Sequence, residues 1–194
     1  MTNGRPAESS FSNVRARMQR YADAKCFNAW VVSMDQRAVV VEVTALEGLD
    51  TGEAFLFQVS GVEACATFQA QLKKMDGPNL VFDITSPVQM GRPYECARMR
   101  TSIDGTLRQG DEAHPVFIED VSVGGMGLLT NVRLERWHNV VVLAKTEFGG
   151  VKVEGQVRYC RVVQDGKWSY RAGLSIPDMA DALPLFGIRI APAA

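Results

Sequence analysis

Most of the chain alternates apolar and polar residues with a period of two. Val151, Val153, Gly155, Val157 and Tyr159 alternate with Lys152, Glu154, Gln156 and Arg158. Tyr170, Ala172, Leu174 and Ile176 alternate with Arg171 and Ser175, and Ile103, Gly105 and Leu107 follow the same rule. Successive side chains of a strand point to opposite faces, so each run predicts a strand with one apolar and one wet face. Residues 64–75 have the length of a helix, yet Ala66, Phe68, Ala70 and Leu72 alternate with Thr67, Gln69, Gln71 and Lys73. They are read as a strand. The runs 26–33, 38–46, 54–59 and 80–84 are rich in β-branched and aromatic residues and complete the first half. Turn chemistry at Asp76-Gly77-Pro78-Asn79, Gly149-Gly150 and Asp165-Gly166 separates them. Val140 to Ala144 is apolar throughout, so its faces stay unassigned.

Two segments depart from this period. Val14, Met18 and Tyr21 fall at i, i+4 and i+7, which predicts a short N-terminal helix within residues 12–24. Arg15, Arg17 and Arg20 lie off its apolar face. Near the other end, Pro177-Asp178 opens a short helical piece over residues 178–187, interrupted by Pro184. Residues 1–10 are polar and read as a tail. Residues 86–93 contain two prolines and a glycine and read as a linker. The expectation is an all-β protein of two small antiparallel β-barrels with a short N-terminal helix. Residues 1–88 form the first domain with its leading helix, and residues 89–194 the second.

Composition narrows the function classes. The chain has 194 residues, 46% of them hydrophobic, with a net charge of −1. That balance provides no global field for nucleic acid or an anionic membrane, so any basic site is local. No apolar run approaches the roughly 20 residues of a spanning helix, and no apolar targeting segment opens the chain. A cytoplasmic protein without membrane insertion is expected. The four cysteines, Cys26, Cys65, Cys96 and Cys160, are widely spaced without a CxxC pair, and the two histidines do not extend them into a metal set. No Ser/His/Asp or paired-carboxylate arrangement emerges by spacing, so neither an enzyme nor a cofactor is predicted.

The candidate chemistry lies in Asp120-Val-Ser122-Val-Gly124-Gly125-Met-Gly127. Apolar runs on both sides make it a tight connection between two strands. Asp120 can accept two hydrogen bonds from an amide-like edge, and Ser122 can both donate and accept. Gly124 and Gly125 permit a tight turn and close approach of a ligand to the main chain. Such a turn suits the edge of a purine such as guanine. Upstream, Arg92, Arg98, Arg100 and Arg108 lie before or on the first strand of the second barrel. Arginine binds phosphate bidentately and stacks on aromatic planes.

A basic linker entering a barrel, then Asp-x-Ser-x-x-Gly on its wall, resembles the PilZ domain, a family of bacterial receptors for cyclic di-GMP. Tyr170-Arg171-Ala172-Gly173-Leu174 is similar to a closing strand of that barrel. The first ninety residues resemble the small barrel that precedes PilZ in flagellar-brake proteins. The resemblance implies that Arg92, Arg98, Arg100, Asp120, Ser122, Gly124 and Gly125 bind cyclic di-GMP, with the arginines on phosphate and guanine. The linker departs from the family's Arg-x-x-x-Arg. Tyr94 stands four residues before Arg98, and Cys96 four before Arg100. Two functions follow from the resemblance. One is a receptor that changes its inter-domain arrangement on binding and acts through a downstream protein on motility, adhesion or exopolysaccharide. The other is a nucleotide-free adaptor using the same barrels for protein contacts. A flavin enzyme built on the first barrel is a third alternative, opposed by the lack of a basic phosphate-binding cluster within residues 26–85.

Overall fold

The computed structural model describes residues 11–43, 48–61, 64–91, 97–163 and 166–188. The polar tail, residues 44–46 of the second predicted strand, and Arg92, Tyr94, Cys96 and Asp165 lie outside the described residues. Contacts divide the chain into two compact units, Met1–Met99 and Arg100–Ala194.

The first unit contains β1 (Arg15–Arg20), β2 (Cys26–Met34), β3 (Ala38–Val43), β4 (Ala54–Ser60), β5 (Cys65–Asp76), β6 (Asn79–Ile84) and β7 (Gln89–Gly91). They follow the order β4-β1-β2-β3-β6-β5-β7, and a further β4–β5 pairing closes the first six into a ring. Phe55, Phe57, Phe68 and Phe82 fill the ring and are almost completely buried. Phe57 and Phe68 face each other across β4 and β5 and stack with ring centres 5.1 Å apart. Phe82 meets Phe57 edge-on at 4.9 Å. Each such side chain contributes about 1.5–3 kcal/mol through its burial.

Two expectations need correction here. The N-terminal helix is the strand β1, which pairs with β2 and β4. Its inward side chains are Ala16 and Met18, both fully buried, with Val14 just ahead of them. The helical spacing arose because small Ala16 hid the two-residue period and Tyr21 mimicked its continuation. Tyr21 is 54% exposed. The stretch read as a linker also contains a strand, β7, which pairs Gly91 with Cys65 and Met90 with Ala66 of β5.

The second unit contains β8 (Met99–Gln109), β9 (Glu112–Ser122), β10 (Gly125–Thr130), β11 (Asn139–Thr146), β12 (Gly149–Val162) and β13 (Tyr170–Ser175), with Met99 of β8 counted in the first unit. They close as a barrel in the order β10-β13-β12-β11-β8-β9. Leu107, Ile118, Met126, Leu128, Val142 and Val157 are fully buried and mark its interior. Val140 and Val142 point inward in β11, while Val141 and Leu143 are half-buried. After β13 come α1 (Met179–Ala182) and a 3-10 turn (Leu183–Phe186) with Pro184 in its first turn. Met179 and Leu183 are buried, and Thr146 Oγ1 donates a 2.6 Å hydrogen bond to the Leu185 carbonyl. Among the described residues no helix is long and apolar enough to cross a membrane.

Candidate functional site

The sequence octet is the hairpin joining β9 to β10. Val123 and Gly124 form its turn, and Ser122 pairs with Gly125. Ser122 is 3% exposed, and its hydroxyl donates to the Gly125 carbonyl at 3.2 Å. Gly125 has φ +152, and a Cβ there would overlap the Leu174 carbonyl oxygen, so glycine is required. Gly124 is exposed with open space around its Cα. Its carbonyl accepts the Ile176 amide at 3.0 Å, which ties the turn to the end of β13.

The outer wall follows from the pairing register. Val121 and Ile118 are fully buried and face the interior. Between Asp120, opposite Gly127, and Ile118, opposite Leu128, the ladder shifts by one residue, which leaves Glu119 as the extra residue of a β-bulge. The bulge lets both Glu119 and Asp120 reach one guanidinium on the outer wall, that of Arg171 on β13. Arg171 Nε donates to Glu119 at 2.6 Å, Nη2 donates to Asp120, and Nη1 donates to the Tyr159 hydroxyl. Asp120 is fully buried and Arg171 is 6% exposed. Burial works against the charged form of Arg171. Asp120 first and Glu119 next outweigh it, so the pKa of this guanidinium rises above its ordinary value.

Two glycines form the floor of this network. Gly127 of β10 and Gly173 of β13 are register partners. A Cβ on Gly127 would stand 2.6 Å from Asp120 Oδ2 and 2.8 Å from Arg171 Nη2. A Cβ on Gly173 would overlap the Tyr159 ring. Tyr159 occupies this outer position because the β12–β13 ladder shifts between Val157 and Tyr159. The strict alternation expected for β12 put it inside, and the bulge at Arg158 reverses its face.

The expected site residues divide as follows. Asp120, Ser122, Gly124 and Gly125 come together on one hairpin. Arg100 is half-buried on β8 beside β9, where the neighbouring Thr101 hydroxyl donates to the Ile118 carbonyl at 2.8 Å. Arg98 belongs to the first unit, and its carbonyl accepts the Arg15 amide at 3.0 Å. Arg92 lies outside the described residues. Arg171, Glu119 and Tyr159 are not among the expected site residues; the sequence marks Arg171 only as part of the closing strand. The signal for them was the pair of glycines, Gly127 and Gly173, where outer-face side chains would otherwise stand. Among the described residues no cluster of His, Cys, Asp and Glu could hold a metal ion.

Residues 94–183 match the PilZ domain family. No curated protein sequence matches the chain. Among solved structures, the inhibitor of motility MotI/DgrA of Bacillus subtilis is 13% identical, covering 91% of this chain and 94% of that one at a TM-score of 0.42. MrkH of K. pneumonia, solved as a c-di-GMP complex, is 16% identical over 89% of this chain and 84% of that one, with a TM-score of 0.43. YcgR of Escherichia coli, also in complex with c-di-GMP, is 12% identical over 88% and 79% at 0.39.

Proposed function

Residues 94–183 are a PilZ domain, and on that premise we propose that the chain is a receptor for cyclic di-GMP rather than an enzyme. The observation that carries this reading is the outer-wall group of Asp120, Glu119 and Arg171. Two carboxylates share one guanidinium there. A guanine edge presents N–H donors and calls for a carboxylate acceptor. When guanine takes Asp120, Glu119 keeps Arg171 neutralised, so no buried cation is stranded. Ser122 and the open backbone at Gly124 lie on the same hairpin and complete the contact with the base. Arg92, Arg98 and Arg100 supply charge for the phosphates.

In this reading binding re-aims one barrel against the other, because the ligand favours one arrangement over the alternatives. A downstream protein in the cytoplasm then reads the change, with motility, adhesion or exopolysaccharide as the output. One observation favours the nucleotide-free adaptor instead. Asp120 is fully buried and already paired with Arg171. Equilibrium dialysis of the full chain against labelled cyclic di-GMP, with excess GTP as competitor, separates the two. Retention of the label in the presence of GTP supports the receptor, and its absence leaves the adaptor.

A further inference from the structure

A second candidate site lies on the first unit. In β1 the apolar Ala16 and Met18 point inward, so Arg15 and Arg17 share the outer face. The register then lays a polar row across four strands. Asn28 of β2 stands opposite Arg17, Arg17 opposite Gln58 of β4, and Gln58 opposite Thr67 of β5. Arg15 begins the next row. Its amide holds the Arg98 carbonyl, which brings Arg98 to the same face. Together these residues line a cleft of about 390 Å³.

The lining decides what such a cleft can take. Among the described residues it carries three guanidiniums, those of Arg15, Arg17 and Arg98, and no carboxylate. The Arg17 guanidinium reaches Cys26 Sγ at 3.2 Å, a weak acceptor that leaves its charge uncompensated. Arg15 and Arg17 are two residues apart on one strand, so their stems are about 7 Å apart. Forked donors at that spacing match a ligand with more than one phosphate oxygen to present. Asn28, Gln58 and Thr67 add neutral donors and acceptors for a sugar or a base edge. The basic cluster missing from residues 26–85 is thus assembled by β1 and Arg98, which flank that range in sequence.

We propose that this cleft is a phosphate-binding site for the phosphodiester of a nucleotide, with Arg17 supplying the guanidinium that the linker lacks beside Arg98. The identity of the nucleotide as cyclic di-GMP rests on the receptor reading, whereas the phosphate chemistry rests on the cleft alone. The test is an NMR titration of the labelled full chain, following the Arg17 Nε–H and the side-chain amides of Asn28 and Gln58. Cyclic di-GMP is one probe and pyrophosphate the other, and the variant is Arg17→Gln, an exposed position.

Cyclic di-GMP is expected to shift these three signals, and Arg17→Gln to weaken its binding about tenfold to a hundredfold. If cyclic di-GMP binds but leaves them unmoved and the variant binds equally well, the cleft proposal is overturned while the receptor stands. If cyclic di-GMP does not bind but pyrophosphate shifts the three signals and Arg17→Gln abolishes the shifts, the cleft stands and the receptor reading fails. Silence from both probes overturns the cleft.

Discussion

Asp120 and Arg171, 51 residues apart in the chain, are paired on the outer wall of the second barrel with almost no access to water. The pair lies flat across Gly127, beside the Tyr159 ring that covers Gly173. The acid of the Asp-x-Ser-x-x-Gly motif therefore also holds the closing strand β13 against the β9–β10 hairpin.

Removing the cation should do more damage than neutralising one of its partners. Arg171→Ala strands Glu119 and Asp120 together, and breaking a buried pair in this way costs about 3–5 kcal/mol. Asp120→Asn keeps the shape and leaves Arg171 with Glu119 at 2.6 Å, so its loss should be clearly smaller. Urea unfolding of both variants checks the order. A larger loss for Asp120→Asn would show that Glu119 does not share the guanidinium.

The glycines of the hairpin should not be equivalent. Gly127→Ala and Gly173→Ala push a methyl group into the network and should destabilise by about 1–3 kcal/mol, as overpacking does. Gly124→Ala meets nothing within 4 Å and should leave the thermal midpoint close to that of the parent. Melting curves of the three variants suffice, and equal losses would contradict the close approach described for Gly127 and Gly173.

An acid-side titration should be visible in the first unit. The hydrogen bond from Arg20 at 2.7 Å, then that from the Lys25 amide at 3.0 Å, hold the Asp23 carboxyl down to about 2 from 3.8. Because the folded value is the lower one, the stability this group adds is fully present above pH 3.8 and is lost as pH falls through about 2. NMR titration of Asp23, and the loss of this acid-side slope in Asp23→Asn, test it. An Asp23 midpoint near 4 would contradict the contact.

Ser122 separates binding from folding. Its hydroxyl bonds its own hairpin carbonyl at 3.2 Å, so Ser122→Ala should cost about 0.5–1.5 kcal/mol of stability. If guanine also uses this hydroxyl, affinity for cyclic di-GMP should fall by about as much again. Unchanged affinity would remove Ser122 from the ligand site.

Most of the strand content was legible because the two-residue period persists wherever a wall has one dry face. Ala66, Phe68, Ala70 and Leu72 marked β5 against its helical length, and all four are buried. The period misled where a side chain was small or a residue extra. Ala16 hid β1, and the bulge at Arg158 turned Tyr159 outward, against strict alternation. The hairpin with Asp120, Ser122, Gly124 and Gly125 was readable because its glycines and polar residues are local in sequence. The partnership with Arg171 was not, since a bulge at Glu119 and a contact between distant strands leave no spacing to read. The cleft on β1 was hidden for the same reason as the strand itself. A helix would have spread Arg15 and Arg17 around its surface, whereas a strand puts them on one face.

The measurement that bears most directly on the proposed function is titration calorimetry of the full chain with cyclic di-GMP at low and physiological salt. Saturable binding that weakens as salt rises is expected, because partly exposed arginine–phosphate attraction is screened over about 8 Å at physiological ionic strength. The absence of binding at both salt concentrations, with ligand carried to about 1 mM, an affinity of only about −4 kcal/mol, would contradict it and leave the barrels as a nucleotide-free adaptor.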